Sequence, residues 1–169
     1  MAILPSFQAN DKEALEILFK TITNLLKTKH QLSTAELIKK IGDEPFIPSS
    51  IFNQQLSSFE TICKYLKENL SLSNKKIASV LNKSQKSIWQ AYNSAKKKEA
   101  STFVVKDSNY NIPCSIFNRP GFSVFEIITQ YLKDAYGLTY HEIAVILQRD
   151  DRTIWTIYQR ARKKNVKDK

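Results

Sequence analysis

The sequence predicts an all-α protein, an N-terminal helical segment followed by two tandem three-helix modules. Three observations carry that prediction. Apolar residues recur at three- and four-residue spacing, the period of one helical face, over most of the 169 residues. Ser33, Ser84, Thr139 and Asp150 stand just ahead of such stretches, where a side-chain oxygen caps the free amides of a helix start. The chain also repeats itself. Ile47, Pro48, Ser50, Ile51, Phe52 and Asn53 return as Ile112, Pro113, Ser115, Ile116, Phe117 and Asn118, and after a one-residue slip Leu56 to Lys98 aligns with Phe122 to Lys164. Seventeen of those 43 positions are identical, where unrelated chains of ordinary composition share about 6%. What both copies keep is read as scaffold, and what changed as the place where their targets differ.

In chain order, residues 1–46 form the N-terminal segment. Leu15, Leu18, Phe19, Ile22, Leu25 and Leu26 make an apolar stripe on a helix from Asp11 to Lys29. Ser33-Thr34-Ala35-Glu36 fits a capping box for a second helix near Thr34 to Ile41, and Gly42 supplies a stop. The stripe must be covered, either by the repeats or by the same helix of a second subunit, so a homodimer through it is one expectation. The first module spans 47–98, the connection 99–111 and the second module 112–169. Each module opens on an Ile-Pro phrase whose proline disfavours helix for the residue before it, giving an extended or turned arm that pins its Ile and Phe. A first helix follows, from about Ser57 to Asn69 and from about Ser123 to Tyr136. A shorter second helix runs from Ser73 to Leu81 and from Thr139 to Leu147, where Thr139-Tyr140-His141-Glu142 is again a capping box. Polar turns at Asn82–Ser84 and Gln148–Asp150 precede a third helix reaching about Lys98 and Lys164. In the connection, Thr102 to Val105 is predicted to form a short strand, and the whole connection from Glu99 to Asn111, fully stretched, spans about 40 Å at roughly 3.3 Å per residue.

A hydrophobic content of 42% excludes a wholly disordered chain, and the sequence has no apolar run near the length of a membrane span. No secretion signal is read at the start, so a cytoplasmic, nucleoid-associated location is expected. The net charge of +10 is uneven. Residues 1–46 sum to 0, residues 47–106 to +7 and residues 107–169 to +3. The excess thus belongs to the repeats, as a polyanionic partner requires. Cys63 and Cys114 are read as packing residues, and His30 and His141 stand alone without a second ligand at metal spacing. With three glycines, none in a phosphate-cradling loop, the chain offers no catalytic group and is expected not to be an enzyme or to need a cofactor.

A short helix, a tight polar turn and a longer helix make a helix-turn-helix. Ala78 and Ala144 are the small residues where the longer helix crosses closely. On that longer helix Ile88, Tyr92 and Ala95, matched by Ile154, Tyr158 and Ala161, fall at the spacing of a buried face. The opposite face is then Lys86, Gln90, Asn93 and Lys97 in one copy and Arg152, Thr156, Gln159 and Lys163 in the other. The pattern Leu72-Ser73, Ile77-Ala78, Leu81, Ile88, Tyr92, Ala95, Lys97-Lys98 recurs as Leu138-Thr139, Ile143-Ala144, Leu147, Ile154, Tyr158, Ala161, Lys163-Lys164. It resembles the helix-turn-helix of bacterial sigma-factor region four and related transcriptional regulators, over about 27 residues in each copy. The resemblance implies a DNA-reading third helix; Asn82 and Gln148 stand where that family often has glycine, and polymerase binding is not implied.

The expected function is therefore sequence-specific binding of double-stranded DNA in transcription regulation. Its contact residues would be Ser84, Gln85, Lys86, Ser87, Gln90, Asn93 and Lys97, with Asp151, Arg152, Thr153, Thr156, Gln159, Arg160 and Lys163 in the second copy. The alternative is a protein-interaction adaptor that uses the same modules without DNA. Trp89 and Trp155, beside the buried isoleucines, are read as packing residues at the helix rim. Asp150 and Asp151 would repel phosphates, so the second copy is expected to dock less tightly unless Asp151 accepts from a cytosine amino group.

Overall fold

A computed structural model describes Glu16, Ile17, Lys20, Thr21 and residues 44–167. The chain divides into two compact units, Met1–Glu44 and Pro45–Lys169. In the first, Glu16, Ile17, Lys20 and Thr21 are helical, and Thr21 Oγ1 donates to Ile17 O at 2.8 Å. The expected stripe of Leu15, Leu18, Phe19, Ile22, Leu25 and Leu26 and the capping box at Ser33 lie outside the described residues.

The second unit is mostly helical. Its order is β1 (Phe46–Pro48), a 3-10 turn (Ser49–Ile51), α1 (Ser58–Glu68), α2 (Asn74–Leu81), α3 (Gln85–Lys98), β2 (Asn111–Pro113), a second 3-10 turn (Cys114–Phe117), α4 (Val124–Tyr136), α5 (Tyr140–Leu147) and α6 (Asp151–Lys167). Local chemistry sets the starts. Ser57, Ser123 and Thr139 each accept from the amide three residues on, while Glu60, Glu126 and Glu142 reach back to the cap's own amide. Ser73 and Ser84 accept from Lys76 N and Ser87 N, and Asp150 from Thr153 N. Two orphan donors per start are thus satisfied at the fully boxed helices and one at the rest.

Within each copy the three helices enclose an apolar centre. Ile62, Leu66, Ile77, Leu81 and Ile88 are fully buried in the first, and Ile128, Leu132, Ile143, Leu147 and Ile154 are buried in the second. Ala78 and Ala144 are buried too, as small residues at a close crossing must be. The buried face of α3 differs from expectation. Ile88, Ala91 and Ala95 form it, while Tyr92 and Tyr158 are only partly covered. A tyrosine at that helix edge keeps its hydroxyl wet or paired, and Tyr158 Oη donates to Asp134.

Two further expectations need correction. The strands are not at Thr102 to Val105, which has no regular structure, but at the Ile-Pro phrases themselves. β1 and β2 pair antiparallel, with Ile47 opposite Ile112. The connection after α3 is not an extended tether either. It runs back over the first copy, where Asn69 Nδ2 donates to Phe103 O, Ser50 Oγ to Lys106 O and Ser49 N to Tyr110 O. The Phe103 ring lies 5.6 Å from Nζ of the buried Lys64, a cation held also by Glu68.

The two copies lean on each other, and their contacts are reciprocal. α1 packs on α4, α2 on the second 3-10 turn, and α5 on the first. Lys83 Nζ donates to Phe122 O, and at the matching place Arg149 donates to Leu56 O and Asn53 O. One buried apolar cluster runs through both copies, from Ile47 and Ile112 at the paired strands to Ile88 and Ile154.

Candidate nucleic-acid interface

The surface in question is the outer side of α3 and α6, and the turns before them fix where it points. Asn82 and Gln148 end α2 and α5 in the left-handed region, with φ of 50° and 51°. The next residue in each turn then donates its amide back into the preceding helix, Lys83 N to Ala78 O and Arg149 N to Ala144 O. That reversal swings α3 and α6 across the short helices over Ala78 and Ala144.

With Ile88, Ala91 and Ala95 turned inward, the helical period puts the expected contact residues on the other side. Gln85, Lys86, Gln90 and Lys97 are exposed, and Ser87 and Asn93 half-buried. Ser84 is held as the cap, sharing a 2.8 Å hydroxyl bond with Ser87. In the second copy Asp151, Arg152, Arg160 and Lys163 are exposed, and Thr153, Thr156 and Gln159 half-buried. Thr153 is tied to Asp150 through both its amide and its hydroxyl, and Thr156 Oγ1 donates to Arg152 O. Among the described residues, the side chains of Lys86, Gln90, Asn93, Lys97, Arg152, Gln159, Arg160 and Lys163 have no intramolecular hydrogen-bond or ion-pair partner. A cation with no internal partner is free to pair with an outside anion.

Lys98 and Lys164, near the ends of the third helices, behave otherwise. Lys98 Nζ meets Glu60 at 2.8 Å and Lys164 Nζ meets Glu126 at 2.7 Å, equivalent pairs that tie the end of each third helix to the start of the first. Burial alone would raise the Glu60 carboxyl. Hydrogen bonds from Lys98, Ser94 and Ser57 outweigh it and hold the group at about 2. Glu126 is likewise lowered, burial being overcome by Lys164 and the Ser123 amide. These two cations therefore serve the scaffold.

Acid at the start of α6 separates the copies. Asp150 lies below the ordinary carboxylate range because the Thr153 hydroxyl and amide both donate to it. Asp151 lies 3.1 Å from His141 Nδ1 on α5, so the exposed His141 faces a carboxylate. The rim-packing role for the tryptophans does not hold. Trp89 is 58% and Trp155 51% exposed, at equivalent places on α3 and α6, because each lies one residue beyond the buried isoleucine and the helix turns it outward.

Sequence reasoning missed Lys83 and Arg149. They sat inside a polar turn like any others, and the only signal was that both copies carry a cation there. In space they hold one copy to the other and border, with Phe59 and Phe125, a cleft of about 470 Å³ between the two copies. Elsewhere, Cys63 and Cys114 are buried and form no disulfide, and burial with the nearby Glu60 pushes Cys63 up to about 12. Among the described residues no group of three His, Cys, Asp or Glu side chains comes together, and no helix is long and apolar enough to cross a membrane. Compared with protein-family profiles, curated proteins and solved structures, the chain matches none.

Proposed function

We propose that the chain is a sequence-specific double-stranded DNA-binding protein of the helix-turn-helix kind, similar to sigma-factor region-four-type regulators, acting in transcription. One observation carries the reading: α3 and α6 occupy equivalent places in the two copies, and each presents outward a row of unpaired cations and amides. Each helix enters a major groove. Lys86, Lys97, Arg160 and Lys163 contact phosphates, and Gln90, Asn93, Arg152 and Gln159 reach base edges, amides suiting adenine and a guanidinium guanine. The docked connection does not enter the duplex; it stiffens the first copy.

The test is a gel shift on mixed genomic duplex, repeated with the Lys86→Glu, Arg152→Glu double variant. Both side chains are exposed and neither is hydrogen-bonded within the chain, so the buried core is untouched. The double reversal is expected to weaken binding roughly a hundredfold, since each contact contributes about 1–3 kcal/mol. Binding that does not change removes the proposal. A second reading, the protein-interaction adaptor, is favoured by the two exposed tryptophans at equivalent places. It predicts no duplex binding and loss of a protein partner in a Trp89→Ala, Trp155→Ala variant.

A further inference from the structure

The contacts between the two copies exchange as they would under a two-fold rotation, which carries α3 onto α6. From it we infer that the DNA target is an inverted pair of unlike half-sites at one fixed spacing. This rests on the DNA-binding reading above and adds the arrangement of the target. A rotation of this kind exchanges equivalent residues and leaves the contact list unchanged, whereas a translation joins two different surfaces. The contacts pass that test. Ile47 pairs with Ile112, its own counterpart, and the flanking pairs Phe46 with Pro113 and Pro48 with Asn111 turn into each other on exchange. Lys83 donating to Phe122 O becomes Arg149 donating to Leu56 O. The packing of α2 on the second 3-10 turn becomes that of α5 on the first.

A duplex has two-fold axes of its own, so two reading helices related by a two-fold meet half-sites of opposite orientation. The half-sites are unlike because the reading side chains are. Gln90 and Asn93 face one, and Arg152 and Gln159 the other. The spacing is fixed because nothing between the copies is free to stretch. β1 is paired to β2, and the connection is fastened at Phe103, Lys106 and Tyr110.

The experiment is selection by the full chain from a duplex pool with a random stretch of about 40 base pairs, roughly four helical turns. The recovered duplex is then remade with about 5 or about 10 base pairs inserted between its halves. The expected result is two different half-sites in inverted orientation, with either insertion weakening binding at least tenfold. Selection by Gln90→Ala should blur one half-site only, and by Arg152→Ala the other only. Half-sites in direct orientation, a single half-site, or recovery on inserting a full turn would overturn this inference while leaving DNA binding in place. A pool that yields no enriched sequence overturns the sequence-specific reading itself, and this inference with it.

Discussion

Ser71 and Gly137 hold the same place in the two copies, just past the first helix, and both have positive φ, 53° and 69°. A β-carbon makes that conformation unfavourable by about 1–2 kcal/mol, and glycine escapes this at some entropic cost in the unfolded chain. A Cβ added at Gly137 would meet nothing within 4 Å, so only the backbone term is at stake. Gly137→Ser is therefore expected to lower stability by about 1 kcal/mol and Ser71→Gly to raise it by a few tenths to 1 kcal/mol, read as opposite shifts of the urea midpoint. Shifts of the same sign would show that side-chain contacts, not φ, decide these positions. Asn82 and Gln148 meet the same demand at the next turn, and there neither copy uses glycine. Asparagine tolerates the left-handed region through local hydrogen bonding; glutamine does so less well. Gln148→Gly is thus expected to stabilise more than Asn82→Gly, again by midpoint comparison.

At the level of elements, the starts of the third helices and the ends of the second were legible in the sequence because their causes are local. A capping serine, an apolar residue each turn and a turn-forming amide all act within four residues of one another. The three-residue strands were not legible, since Ile47 and Ile112 are brought together across 65 positions and neither phrase carries a strand pattern. For the same reason the outward side of α3 and α6 was legible and the Glu60–Lys98 tie was not, although both residues are identical in the second copy as Glu126 and Lys164. Identity marks scaffold; it does not say which acid meets which lysine. The tie has a pH signature. Glu60 in the fold is held at about 2, below its ordinary 4.5, so it is a stronger acid folded than unfolded. Its stabilisation is complete above about 4.5, where both states are ionised, and fades as pH falls toward 2, where the fold too takes up the proton. With its side chain 11% exposed, solvent screening is small and the contribution at neutral pH is about 3 kcal/mol. Glu60→Gln is expected to lower stability by about that amount at pH 7 and to converge with the parent near pH 2, measured by urea unfolding across the range. A gap independent of pH would mean that packing, not charge, accounts for the loss.

For the molecule as a whole, the shared core decides whether two modules behave as one. Each copy alone would have to hold its fold with about half the buried apolar surface of the pair, below the size at which isolated domains are comfortably stable. The paired strands, α1 against α4 and the exchanged Lys83 and Arg149 contacts instead place one continuous cluster across both. Local loss in one copy therefore exposes surface in the other, and unfolding is expected to be a single event. The exposed tryptophans make this measurable, since Trp89 reports on the first copy and Trp155 on the second, and replacing either with phenylalanine removes little buried contact. Trp89→Phe and Trp155→Phe, each leaving one reporter, should show the same urea midpoint by fluorescence. Ile128→Ala, a cavity in the second copy expected to lower stability by about 3 kcal/mol, should move both reporters together. Midpoints that separate, or an Ile128→Ala shift seen by Trp155 alone, would show two modules folding independently; a fixed two-fold geometry would then have no support, and the half-site spacing would follow the connecting chain instead of the interface.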